Sequence, residues 1–132
     1  MAEIARLRLG SGSAWFEMRQ VDQERCQVTA DWCSELTSNF EAWVTREETR
    51  DFAARVLTRI SVPSGVAFTE SVSAGRANPL VLHDLPAGDG FAFFPCFTPR
   101  GDDTVCMLRM EIGPIRIGDL VETFEDFHRD LG

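Results

Sequence analysis

Four cysteines (Cys26, Cys33, Cys96, Cys106), two histidines (His83, His128) and 21 Asp plus Glu are the side chains with which this chain could do chemistry. Zinc needs Cys or His ligands that converge tetrahedrally, usually from close pairs. Here six residues separate Cys26 from Cys33, nine separate Cys96 from Cys106, and neither histidine has such a pair beside it. By strand parity Cys26 falls with Val28 and Trp32, and Cys106 with Leu108 and Met110, so small buried thiols are expected and no metal site. A Cys-His-Asp nucleophilic centre assembles in space and stays open as an alternative. Its best base is His83 beside Asp84, but adjacent residues of a strand point to opposite faces. There is no Gly-rich phosphate loop, no Gly-x-Ser-x-Gly elbow, no Lys for a Schiff base and no Tyr. Asp102-Asp103 and Arg100-Gly101-Asp102 lie in a turn-type segment, where solvated side chains are the rule. The expectation is a protein that is not an enzyme and carries no cofactor.

Aromatic residues and charge point in another direction. Trp15 shares a strand face with Glu17 and Arg19, and Trp43 with Thr37, Asn39 and Glu41. Tryptophans on the uncovered face of a sheet are disproportionately interface anchors. A strongly curved sheet that buries both faces is the competing reading. Phe91, Phe93 and Phe97, with His83, form a candidate apolar pocket, the alternative in which the protein binds a small molecule or is an enzyme. The net charge is −8, and the last 32 residues hold 8 acids against 3 arginines. Glu122, Glu125 and Asp126 fall opposite the apolar stripe of a final helix. They read as a solubilising face or as one that steers a basic protein partner. An acidic chain argues against nucleic acid, which needs a basic face.

The elements that must position these residues follow from periodicity. Residues 3–9, 14–20, 26–32 and about 36–44 alternate as strands, with Gly10-Ser11-Gly12-Ser13 as the first turn. Thr45-x-x-Glu48 is a capping box. Behind it Phe52, Ala53, Val56, Leu57 and Ile60 take helical spacing over residues 46–60, with Asp51 four residues before Arg55 as a favourable pair. Short strands follow at 66–70, 79–85, 91–98 and 104–112. Pro95 puts the third of these at an edge or at a bulge, and an edge there opens a self-associating homodimer as a further alternative. Asp119-x-x-Glu122 reads as a second capping box, and Leu120, Phe124, Phe127 and Leu131 form an amphipathic stripe. The fold class expected is α+β: one antiparallel, strongly curved sheet of about seven to eight strands with two helices, one after each run of strands. It makes a single domain over 1–132, with 1–60 and 61–132 as candidate pseudo-repeats.

No apolar run approaches the length of a membrane span. Met1 to Arg6 lacks the apolar middle of a signal peptide. A cytoplasmic protein with reduced cysteines is therefore expected. Thirteen arginines and no lysine suit a GC-rich bacterial genome, in which Arg codons dominate.

Several stretches carry a resemblance: Asp31-Trp32, Phe40-x-Ala-x-Val44, Thr45-Arg46-Glu47-Glu48, Phe52-Ala53-x-x-Val56-Leu57, Gly65-Val66-Ala67-Phe68 and the helix from Leu120 to Leu131. Over nearly its whole length the chain resembles WapI-type immunity proteins and related uncharacterised actinobacterial families. That resemblance implies binding and blocking of a cognate toxin, without catalysis or cofactor. With Trp15 and Trp43 as contact anchors and Glu122, Glu125 and Asp126 for steering, the sequence points to a cytoplasmic protein-binding module.

Overall fold

The computed structural model describes residues 4–61, 66–73, 79–98 and 108–132. Its fold is α+β, with antiparallel strands and two helices. β1 (Arg6–Ser11), β2 (Ala14–Gln20), β3 (Cys26–Trp32) and β4 (Leu36–Ala42) form one sheet in chain order, and α1 (Arg46–Ile60) follows. β5 (Phe68–Ser71), β6 (Leu80–Ala87), β7 (Gly90–Phe97) and β8 (Leu108–Arg109) form a second sheet. β9 (Ile112–Arg116) also pairs with β7 and leads into α2 (Ile117–Leu131). The strands thus divide between two sheets instead of forming the single curved one expected. The inner faces of the two sheets meet through aromatic rings: Phe97 of β7 stands edge-on to Phe16 at 5.8 Å and to Phe40 at 6.4 Å. The helices pack on each other, α1 also against β5 and α2 against β1, β7 and β9.

Local chemistry sets most element ends. Ser11 faces Ala14, so β1 and β2 join through a two-residue loop whose Gly12 has φ +65°. Such loops need left-handed residues, and glycine adopts them without steric cost. Thr45 Oγ1 accepts from the Glu48 amide at 3.1 Å, and the Thr45 amide donates to Glu48 Oε1 at 3.0 Å. The capping box is formed, and α1 spans the residues its periodicity predicts. Arg55 does not pair with Asp51. It reaches across to β5, donating to Glu70 Oε2 at 3.0 Å and to the Ser71 carbonyl at 2.7 Å. A carboxylate plus a strand-end carbonyl offers two acceptors where Asp51 offers an exposed pair of little worth.

α2 departs from expectation at its start. Its N-cap is Arg116, with no side-chain cap, and Asp119 sits inside the first turn. The Ile117 amide donates instead to the Asp89 carbonyl in the β6–β7 turn, at 3.0 Å. A long-range backbone acceptor replaces the local cap, and Asp119 is left to oppose the positive end of the helix dipole. The stripe of Leu120, Phe124, Phe127 and Leu131 is buried as its spacing predicts.

β7 lies between β6 and the β8–β9 pair, so the edge expected at Pro95 is absent, and with it the basis of the self-associating alternative. No bulge falls at Pro95 either: the register is continuous from Phe97 to Phe93 and shifts only between Phe91 and Phe93, where the extra residue is on β9 between Ile112 and Ile115. The Pro95 carbonyl accepts from the Met110 amide at 3.1 Å. In an antiparallel ladder a residue's N–H and C=O face the same neighbour. The N–H that proline lacks would therefore face Met110 as well, and there the partner strand breaks: β8 ends at Arg109 and β9 begins at Ile112. Of the strand expected over 104–112, residues 104–107 lie outside the described residues.

Candidate functional site

The outer face of the first sheet is the molecule's most distinctive surface. Alternation sends Leu7, Leu9, Phe16, Met18, Cys26, Val28 and Ala30 into the core. The intervening residues, Arg6 and Arg8 of β1, Trp15, Glu17 and Arg19 of β2, Gln27, Thr29 and Asp31 of β3, and Asn39 and Glu41 of β4, point the other way. The described residues of this face are exposed or half-buried.

Two tryptophans stand on it, each beneath an arginine. The Arg8 guanidinium lies 4.1 Å from the centroid of Trp15, and that of Arg25 lies 5.9 Å from Trp43. Trp15 is half-buried, whereas Trp43 is 68% exposed. Arg25 is held in turn by Asp22 Oδ2 at 2.7 Å and Glu41 Oε1 at 2.9 Å. Hydrogen bonding from Arg25 keeps the Asp22 carboxyl below its ordinary range. Trp15 faces Asp31 in the register, and Trp43 lies one step past the Cys26–Ala42 pair. The two indoles are therefore about 20 Å apart along the strands. A guanidinium over the ring restricts the indole before any partner arrives. Arg25 commits its Nε, Nη1 and Nη2 donors to Asp22 and Glu41, whereas Arg8 makes no such pair among the described residues.

The other predicted residues are not brought to this face. Glu122, Glu125 and Asp126 are exposed on α2, with Asp126 bonded to Arg129 at 2.6 Å. Phe91, Phe93 and Phe97 are at most 2% exposed and belong to the core. His83 lies on the opposite face of the same sheet, with Nδ1 3.0 Å from Thr69 Oγ1. Strand alternation separates the imidazole from the three rings, so this quartet does not line one pocket. The same alternation separates His83 from Asp84, which is buried. Two described clefts lie elsewhere. One of about 400 Å³ is lined by Gln23, Arg46, Glu47, Arg50, Leu131 and Gly132. The other, of about 270 Å³, lies where the β1–β2 turn meets β9.

The thiols also separate. Burial pushes the Cys26 thiol up to about 12, with Glu41 and Glu48 adding to the effect. Such a group is protonated and inert. Cys33 is free and exposed in the β3–β4 turn. Cys96 is disulfide-bonded, which corrects the expectation of four thiols. Among the described residues no three His, Cys, Asp or Glu side chains converge as a metal site. No helix of the described residues is long and apolar enough to cross a membrane. The Arg100-Gly101-Asp102 tripeptide lies outside the described residues.

Sequence reasoning missed two features of interest. Asp84 is 1% exposed, with neither carboxyl oxygen hydrogen-bonded among the described residues. It shares the parity of Leu80 and Leu82, which was the available signal. The stacking of Arg8 on Trp15 depends on the diagonal offset between β1 and β2 and had no signal in the sequence. Searches against protein-family models, curated proteins and solved structures found no match.

Proposed function

We propose that this protein is a non-catalytic protein-binding module that docks through the outer face of β1–β4, an immunity-like protein that binds and neutralises a partner. The observation that carries the reading is Trp43, a large aromatic 68% exposed on that face and braced by Arg25. Trp15 under Arg8 supplies a second anchor on the same face. Interface hot spots favour Trp and Arg in this kind of arrangement. Glu122, Glu125 and Asp126 sit on a different element, and their part is long-range: they raise the encounter rate with a basic partner without forming the contact.

The test is co-purification of the tagged protein with the products of neighbouring genes, in native form and as Trp43→Ala and Trp15→Ala. Capture should weaken by at least about thirtyfold for Trp43→Ala, the mark of a hot spot, with the thermal midpoint nearly unchanged. Retention of full capture by both variants overturns the docking face. If no neighbour is captured and none is toxic, the immunity-like role falls.

A cytoplasmic place of action belongs to the same proposal, and the disulfide at Cys96 bears against it, because persistent disulfides mark oxidising compartments. Thiol counting on protein isolated without reductant, with thiols blocked at lysis, decides the point. A fully reduced Cys96 agrees with the cytoplasm; an oxidised one moves the protein to an oxidising compartment.

A further inference from the structure

The docking face is electrically divided. On β1 and β2 it presents Arg6, Arg8 and Arg19 against one acid, Glu17. On β3 and β4 it presents Asp31 and Glu41 among amides and hydroxyls, with Arg25 closing the far end. The arginines of the first half are poorly matched. Arg6 approaches Glu17 only to 3.8 Å, and Arg8 and Arg19 have no carboxylate within 4 Å among the described residues. Arg25, by contrast, shares Asp22 and Glu41, and Arg55 and Arg59 share Glu70, while Arg46 turns to the Asp130 and Leu131 carbonyls and Arg116 reaches Asp89 at 3.6 Å.

The unmatched half is also built at a cost. Arg6 and Arg19 are directly opposite in the register, and like charges so placed are destabilising. The Arg19 Nε–H is buried without an acceptor among the described residues, which adds to the cost of this half. The Arg8 guanidinium carbon lies 4.1 Å from the Trp15 ring centroid, and no carboxylate among the described residues takes its N–H donors. In a chain of net charge −8, three arginines gathered on one open face form a local field of the opposite sign.

We infer that the segment of the partner seated on β1–β2 carries carboxylates, held by Arg6, Arg8 and Arg19 with Trp15 as the apolar floor. The inference rests on the docking reading above and specifies its chemistry. Bidentate guanidinium–carboxylate bonds give this contact its orientation. The partner's wider surface is still met by the acids of α2, so a partner of basic net charge seats an acidic segment here.

The test uses two probe peptides, an end-blocked tetraglutamate and an end-blocked tetralysine, added to the full chain labelled with ¹⁵N. The indole N–H signals report on the tryptophans separately. Tetraglutamate should shift the Trp15 signal and leave Trp43 in place. The shift should fade as salt rises from about 0.1 M to about 1 M, over which the screening length falls from about 10 Å to about 3 Å. Arg8→Gln and Arg19→Gln should each weaken it by at least about threefold, roughly one good surface charge pair; a dispersed spectrum in each variant guarantees the fold. A Trp15 shift that tetralysine reproduces, or no shift with tetraglutamate, overturns the inference. If Trp43→Ala abolishes partner capture while tetraglutamate is inert, the docking face stands and its acidic occupant falls. If tetraglutamate binds as expected but capture survives both tryptophan variants, the docking reading falls by itself.

Discussion

Asp84 is the residue whose environment departs furthest from what its chemistry prefers. It lies on the inner face of β6, between Phe68 of β5 and Phe93 of β7, and neither oxygen finds a donor among the described residues. Burial, with a smaller contribution from Glu70, pushes its carboxyl up to about 9. The folded chain therefore keeps a proton that the unfolded chain releases near pH 4. Because the folded state binds the extra proton, stability falls as pH rises between about 4 and about 9 and levels off above. Urea unfolding across that range should follow this decline, and Asp84→Asn should flatten it. Asp84→Leu also removes the unsatisfied oxygens and should exceed the native chain at pH about 8 by more than about 1 kcal/mol. A flat profile in the native protein would mean that the carboxyl is solvated or paired. The burial of Asp84 was legible in the parity of Leu80 and Leu82. Its lack of a donor was not, since that depends on which side chains of β5 and β7 arrive beside it.

At the scale of elements, those specified by their own residues were read most faithfully. α1 carries its start signal in Thr45 and Glu48 and its core stripe in Phe52, Val56 and Ile60, all within one segment. Thr45→Ala should cost about 1 kcal/mol of stability. The cap also anchors a distant segment, because Glu48 Oε2 accepts from Ser73 Oγ at 2.5 Å. Elements whose bounds depend on distant partners were misread. α2 begins where the Asp89 carbonyl receives it, and the break between β8 and β9 answers to a proline on β7. The β7–β9 pairing supplies a sharper test. A Cβ on Gly90 would lie 1.7 Å from the Ile115 carbonyl oxygen, a rigid backbone atom. Gly90→Ala must push β9 away, and its cost should exceed about 2 kcal/mol. The amides of β9 should then lose hydrogen-exchange protection before those of β1–β4. Uniform loss across both sheets would contradict the local account.

For the whole molecule, two sheets and two helices share one core, and Phe97 joins the sheets. It is fully buried and touches Phe16 and Phe40 edge-on across the interface. Phe97→Ala should destabilise by about 3–5 kcal/mol, with both sheets melting in a single transition. Separate transitions would mean that each half folds by itself. The α+β class and the inward faces of the strands were legible because alternation and helical spacing report burial directly. The division into two sheets was not, because pairing between the runs of strands leaves no periodic trace. The same aromatic seam has a practical corollary. Severed between α1 and β5, the polypeptide would yield two fragments, each with a bare greasy flank that only the other can cover. Such pieces should be sticky alone and complement one another when produced together, which would make the chain a split reporter for whatever holds its halves close.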